Sequence, residues 1–338
     1  MKILVVKVSS LGDVVHAMPA VQDIRRALPD AQIDWVVEPG FAPLVRRCEG
    51  VHRVIECPMR RWRKALLSGQ TRAEWSAFKA DLQTTAYDAV IDLQGLTKSA
   101  VVARSARLAP QGKRYALGNK TDGSSYEAPT RWLANVAIKL PEHTHAVQRS
   151  RLLCAQALGY AADDSLVEFK LLRHAGIDFD AIKNDAKTID TSGKPCIALV
   201  HGTSRDDKLW PEPFWLALGQ RLLQTGHSLA LPHGSPQELE RSQRLAYRLG
   251  SDAPVAVWPS LALDDLLDQM GACAGVIGVD SGLSHIAVAL DLPHVQLYNF
   301  DTAWRTGPLP AMKRQCSVYG KPVPTLDAVW AAWKAVAG

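Results

Sequence analysis

Residues 1–20 read MKILVVKVSSLGDVVHAMPA, and the fold follows from their order. Apolar and β-branched side chains over 2–8 predict a buried strand. Ser9-Ser10-Leu11-Gly12 supplies a turn. Val14, Val15, Met18, Val21, Ile24 and Leu28 then recur at nearly helical spacing until Pro29, which predicts a helix over 14–28. Strand, tight turn and helix together make the opening of a βαβ unit. Asp13 stands at the mouth of the helix, where nucleotide-binding folds of this kind usually place glycines and a phosphate. Taken alone it reads as a helix N-cap, since aspartate is among the best capping residues.

The same alternation continues. IDWVVEP (33–39), HRVIECP (52–58) and YDAVIDLQG (87–95) read as strands. EWSAFKADLQTT (74–85), LTKSAVVARSARL (96–108) and HAVQRSRLLCAQALG (145–159) read as helices. Over 171–193 the periodicity fades into polar residues closed by Ser192-Gly193, which reads as a linker. Alternation restarts at KPCIALVHG (194–202) and runs through HVQLYNF (294–300) to a last helix in TLDAVWAAWKAVAG (325–338). This pattern predicts an α/β chain with two doubly wound parallel sheets. The expected domains are 1–170 and 194–322, with 171–193 joining them. A C-terminal segment, 323–338, is placed to pack back on the first domain. Ligands bind at the carboxyl ends of the strands in such sheets, so two of them facing each other would share one cleft.

Composition narrows the function. The 338 residues suffice for two domains with their own cores. No run reaches the ~18 consecutive apolar residues of a membrane span. ILVV is too short, and too soon interrupted by Lys7, for a signal peptide, so a cytoplasmic location is expected. The six cysteines form no CxxC pair, which argues against a zinc site or a disulfide framework. A net charge of +5 is too modest for a dedicated nucleic-acid binder but favours anionic partners. Neither GxGxxG nor GxxxxGK[ST] occurs, so the dehydrogenase, nicotinamide-dependent epimerase and P-loop readings lose their main support.

Three stretches can carry chemistry. HGTSRDDKLWPEPFW (201–215) puts Thr203, Ser204, Arg205 and Lys208 between a strand and a helix start. Such a helix start is an anion site by geometry, and Lys208 adds a point charge. GVDSGLSHIAVALDLP (278–293) runs a buried strand into Asp280-Ser281-Gly282, with His285 one turn into the helix. MRRWRKALL (59–67) sets Arg60, Arg61, Arg63 and Lys64 around Trp62. A charge run is usually a solvated face; the alternatives are a site for a multiply charged acceptor or for an anionic membrane surface. Asp178-Phe179-Asp180 has the look of a DxD metal motif, but it lies in the linker and carries little weight.

Taken together, VKVSSLGDVVHAMPA (6–20), RRWRKA (60–65), YDAVIDLQGLTKSA (87–100), RDDKLWPE (205–212) and VDSGLSHIAVALD (279–291) resemble the lipopolysaccharide heptosyltransferases. These are glycosyltransferases of family 9 with the GT-B fold, and the resemblance spans nearly the whole chain in order. It implies an inverting transfer of heptose from ADP-L-glycero-D-manno-heptose to a Kdo residue of Kdo2-lipid A, on the cytoplasmic face of the inner membrane, with no cofactor and no metal. In the resemblance Asp13 corresponds to the catalytic carboxylate. Thr203, Ser204 and Lys208 fall in the donor-phosphate loop, Glu238 at the ribose, Leu261 at the adenine, and Asp280, Ser281, Gly282 and His285 at the donor-binding helix start. Arg60, Arg61, Arg63 and Lys64 are expected to meet the acceptor. The family's Asp-Thr-Gly is Asp280-Ser281-Gly282 here, which keeps the hydroxyl. Its Gly-Pro-Thr-Asp-Pro loop is replaced by YNFDTAWRTGP (298–308), where Trp304 and Arg305 are placed to close over the donor. Two alternatives stay open on the residues: another GT-B enzyme, such as the related heptosyltransferase II, or a non-catalytic nucleotide-binding protein of the same fold.

Overall fold

The computed structural model describes residues 1–65, 67–172 and 193–338. It divides into two compact units, Met1–Leu171 and Leu172–Gly338. The polar stretch read as a linker lies almost wholly outside the described residues, and so does Asp178-Phe179-Asp180. Residues 170 and 171 are held by the first unit: Glu49 N donates to Lys170 O at 2.9 Å, and Leu171 bridges to Cys48.

In the first unit β1 (Lys2–Val6), α1 (Leu11–Ala27), β2 (Gln32–Val37), α2 (Ala42–Arg46) and β3 (Val51–Glu56) are followed by α3 (Met59–Trp62) and α4 (Gly69–Leu82). Then come β4 (Ala86–Asp92), α5 (Thr97–Ser105), β5 (Arg107–Leu117), α6 (Pro129–Leu133), β6 (Val136–Ile138) and α7 (Ala146–Leu158). The sheet is parallel, in the order β3-β2-β1-β4-β5-β6. Leu4, Val6, Val36, Val90 and Trp62 are among the side chains of a buried apolar cluster on it. Chain direction across the sheet reverses between β1 and β4, and such a switch point is where an open α/β sheet binds its ligand.

The second unit repeats the plan. Its elements are β7 (Cys196–Val200), α8 (Glu212–Gln224), β8 (Ser228–Leu231), α9 (Pro236–Leu249), β9 (Val255–Val257), α10 (Leu263–Gly271) and β10 (Gly275–Val279). They continue as α11 (Gly282–Ala289), β11 (His294–Tyr298), α12 (Ala303–Thr306), β12 (Gln315–Tyr319) and α13 (Leu326–Ala337). The order β12-β11-β10-β7-β8-β9 is again parallel. Read from β7, it is the topology of the first sheet, with its switch point between β7 and β10.

Several expectations need correction. Helix α1 starts at Leu11, three residues early, with Ser10 at its N-cap. Asp13 is therefore the third helical residue, not the cap. The helix expected over 96–108 stops at Ser105, and residues 107–117 form a strand. The C-terminal helix is counted in the second unit. Val329 and Trp333 fill that unit's core, and the Trp333 ring lies against Gly275, where a Cβ would collide with it.

Candidate active site

At the first switch point the loop after β1 is built by β4. Gln94 Oε1 accepts from Val8 N at 3.1 Å and from Ser9 N at 3.0 Å, fixing the path into α1. Asp13 closes a capping box: its Oδ2 accepts from Ser10 N at 3.1 Å and from Ser10 Oγ at 2.9 Å. Lys7, just past β1, is 4% exposed at its side chain. Its Nζ donates to Leu93 O at 3.0 Å and stands 3.7 Å from Asp13 Oδ1. Burial works against the charge of Asp13, but Lys7, the Ser10 bonds and Arg149 outweigh it and hold the carboxyl below its ordinary range. The helix N-terminus adds to the same effect. Asp13 nevertheless keeps 38% of its side chain exposed. It is an ionised acceptor able to meet a hydroxyl from solvent.

Asp92 ends β4 in register with Val6. It accepts from Gln94 N at 2.9 Å, Gly95 N at 3.3 Å and Ser99 Oγ at 3.0 Å. Burial pushes its carboxyl up to about 6, with these bonds and Lys7 pulling the other way. Lys98 donates to Ser9 Oγ at 3.5 Å. Lys7, Lys98 and Asp92 were not singled out in the sequence. A lysine inside the apolar run VVKV was the available signal for the first.

The basic stretch is not one uniform patch. Trp62 is buried, and its Nε1 donates to Glu74 Oε2 at 2.7 Å. Arg61 pairs with the same carboxylate oxygen at 2.7 Å. The guanidinium of Arg60 lies over the Phe41 ring, 5.3 Å from its centroid. Arg63 and Lys64 are exposed.

The second switch point gathers most of the expected donor residues. Asp280, just past β10, is 7% exposed. Its Oδ2 accepts from Lys208 Nζ at 2.6 Å, and its Oδ1 lies 3.5 Å from His285 Nε2. Thr203 Oγ1 donates to Asp280 O at 3.1 Å. Burial opposes the Asp280 charge, and contact with His285 and Lys208 overrides it, holding the carboxyl far below the usual carboxylate range. Ser281 caps α11, and its Oγ is buried without a hydrogen-bond partner among the described residues. Gly282 begins the helix, so backbone N–H groups and an unengaged hydroxyl gather at one point, an arrangement suited to phosphate. Glu238, in the first turn of α9, accepts from Gly234 N at 2.6 Å and lies against Gly202, where any Cβ would collide with it. Ser204 is exposed and Leu261 is half-buried ahead of α10; among the described residues neither joins the Asp280 network. The divergent loop does reach it: Thr306 Oγ1 lies 3.5 Å from Asp280 Oδ1, one residue past half-buried Arg305.

The sequence matches glycosyltransferase family 9 (heptosyltransferase) over residues 75–331. Lipopolysaccharide heptosyltransferase 1 of Pseudomonas aeruginosa is 39% identical over 298 residues, covering 88% of this chain and 78% of that protein. The structure resembles that of E. coli heptosyltransferase WaaC with ADP, at a TM-score of 0.82 and 34% identity over 98% of both chains. WaaC with ADP-2-deoxy-2-fluoro heptose gives a TM-score of 0.79 and 33% identity, again over 98% of each. With its two parallel sheets of like topology, this chain therefore belongs to glycosyltransferase family 9, the heptosyltransferases, and is a glycosyltransferase of the GT-B fold.

Proposed function

We propose that the enzyme acts as a lipopolysaccharide heptosyltransferase I. It transfers L-glycero-D-manno-heptose from ADP-L-glycero-D-manno-heptose to a Kdo hydroxyl of Kdo2-lipid A, with inversion. One observation carries the reading: the two switch points are oppositely equipped. The first presents an ionised, partly exposed carboxylate, Asp13. The second presents Lys208, Ser281 and the start of α11.

In the proposed step the acceptor oxygen bonds to the anomeric carbon while the bond from that carbon to the β-phosphate oxygen breaks. The acceptor proton passes to Asp13, and the electron pair leaves with ADP. A carboxylate held ionised is a weak base. It suffices because the transition state is oxocarbenium-like and the hydroxyl becomes acidic only as the new bond forms. Lys208, the Ser281 hydroxyl and the N–H groups at Gly282 take up the charge growing on ADP. His285 and Thr203 hold Asp280, which in turn aims Lys208. Thr203 and Ser204 line the phosphate, Glu238 meets the ribose, and Leu261 lies at the adenine. No cofactor or metal enters this reading.

Arg60, Arg61, Arg63 and Lys64 face the carboxylates and phosphates of the acceptor and the anionic cytoplasmic surface of the inner membrane. No helix among the described residues is long and apolar enough to cross a membrane. The test is Asp13→Asn. It should leave ADP-heptose affinity near the parent's and the fold intact, and lower turnover by roughly 10²-fold or more. Near-parental turnover would reduce Asp13 to a helix-capping residue.

A further inference from the structure

A pocket of about 350 Å³ opens in the first unit among α3, α4 and α5. Met59, Trp62, Trp75 and Val101 make its walls. The walls are preformed. Trp62 is fixed by its bond to Glu74, and its ring meets Trp75 and Phe78 edge-on, each at 5.6 Å between centroids. A cavity that keeps its shape without a ligand costs little ordering on binding.

The polar part of the lining is one-sided. It consists of Thr71, whose hydroxyl bonds to Ser68 at 2.9 Å, and two cations, Arg72 and Lys98. Among the described residues no carboxylate or amide side chain lines it, so the hydroxyl protons of a sugar would find few acceptors. A methylene chain needs none, and the cations suit an anionic group where the chain begins. Arg63 and Lys64, exposed just past α3, extend the positive charge. Exposed apolar residues accompany it: Leu67, 85% exposed, lies between α3 and α4, and Trp132, 69% exposed, sits on α6, which packs on α5. Apolar side chains set among cations are the pattern of an anionic lipid interface. The pocket also adjoins the Asp13 turn, since Lys98 reaches Ser9.

We propose that this pocket takes one acyl chain of the anionic glycolipid acceptor while its sugar lies at Asp13. The inference rests on the reading of the acceptor as Kdo2-lipid A. It makes the lipid part of what is recognised, beyond holding the enzyme at a surface.

The test uses Val101→Asp, a change at a position already 42% exposed, with Val101→Leu as the conservative control. Each variant is assayed with Kdo2-lipid A in mixed micelles and with the same acceptor stripped of its acyl chains. Val101→Asp should raise KM for the acylated acceptor by about tenfold. Its kcat, and both constants for the stripped acceptor, should stay at the parental values, and Val101→Leu should behave as the parent. An equal rise with both acceptors would place sugar in the pocket, and no change with either would leave it unoccupied; each overturns the proposal. A second arm needs no transfer. Lipid A lacking Kdo, with brominated acyl chains, should quench the parent's tryptophan fluorescence. Trp75→Phe should lose part of that quenching and Val101→Asp most of it. No quenching in the parent overturns the proposal. Quenching by a parent that transfers no heptose would defeat the functional reading and leave the pocket assignment standing.

Discussion

Replacing Lys7 by methionine tests the state of the proposed base. The two charges lie 3.7 Å apart. At that distance unit charges attract by about 1 kcal/mol in water and about 4 kcal/mol at an effective dielectric of ~20. Asp13 is 38% exposed, so solvent screening brings the value towards the lower end, about 1–2 kcal/mol. At about 1.4 kcal/mol per unit, that is a shift on the order of one pH unit. The sign follows from the environment. Burial already disfavours the Asp13 charge, and Lys7 is the largest influence opposing it. Without Lys7 the carboxyl holds its proton to higher pH. The acid limb of kcat/KM, measured as acceptor-dependent ADP release, should therefore move up by about one pH unit. The fold should tolerate the change. Methionine matches the aliphatic length, and Asp92, already pushed up to about 6 by burial, can stay buried as the neutral acid. An acid limb that stays in place, or moves to lower pH, would refute the role given to Lys7 and Asp13.

Lys208→Ala should weaken ADP-heptose binding and lower turnover together, by calorimetry and steady-state rates, because its ammonium serves both the bound donor and the departing ADP. A chelator should leave the parent's rate unchanged; loss of activity that a divalent metal restores would contradict the metal-free reading. Asp280→Asn should lower the melting temperature, with a defined pH dependence. Asp280's folded pKa lies below its unfolded value, so its contribution is complete above pH ~4 and fades only as pH falls through the folded value. The gap between variant and parent should close in strong acid and be constant at neutrality. Arg63→Ala should cost more acceptor affinity than Arg61→Ala, since Arg61 is already committed to Glu74; titration with a stripped Kdo acceptor reads the difference.

The strands that build both switch points were legible because they are short apolar runs between turns. β5 and β12 were not. β5 reads RLAPQGKRYAL, with Pro110, Gly112 and three cations, and most of it is at least partly exposed. Only tertiary pairing makes it a strand. It shifts register opposite Tyr87, and Gly112 is required there because a Cβ would strike the Tyr87 carbonyl. β12, QCSVY, follows a loop and carries only five residues. The start of α1 was misplaced because Gly12 and two serines mask it, although serine followed three residues later by an acid is the capping-box signature. For the site, the residue types at the turns were readable. Their partnerships were not: no spacing rule links Lys7 to Asp13, or Lys208 to Asp280 across 72 residues. Lys208 meets Asp280 because β7 lies beside β10, and Lys7 is held near Asp13 by the Leu93 carbonyl at the end of the neighbouring β4.

The most direct test of the account is the product itself. The enzyme, ADP-L-glycero-D-manno-heptose and Kdo2-lipid A are incubated, and the lipid is examined by mass spectrometry and NMR. The expected product carries one added heptosyl unit on Kdo, its anomeric configuration inverted relative to the donor, with one ADP released for each transfer. ADP release without growth of the lipid, transfer onto an existing heptose in place of Kdo, or a retained anomer would contradict it.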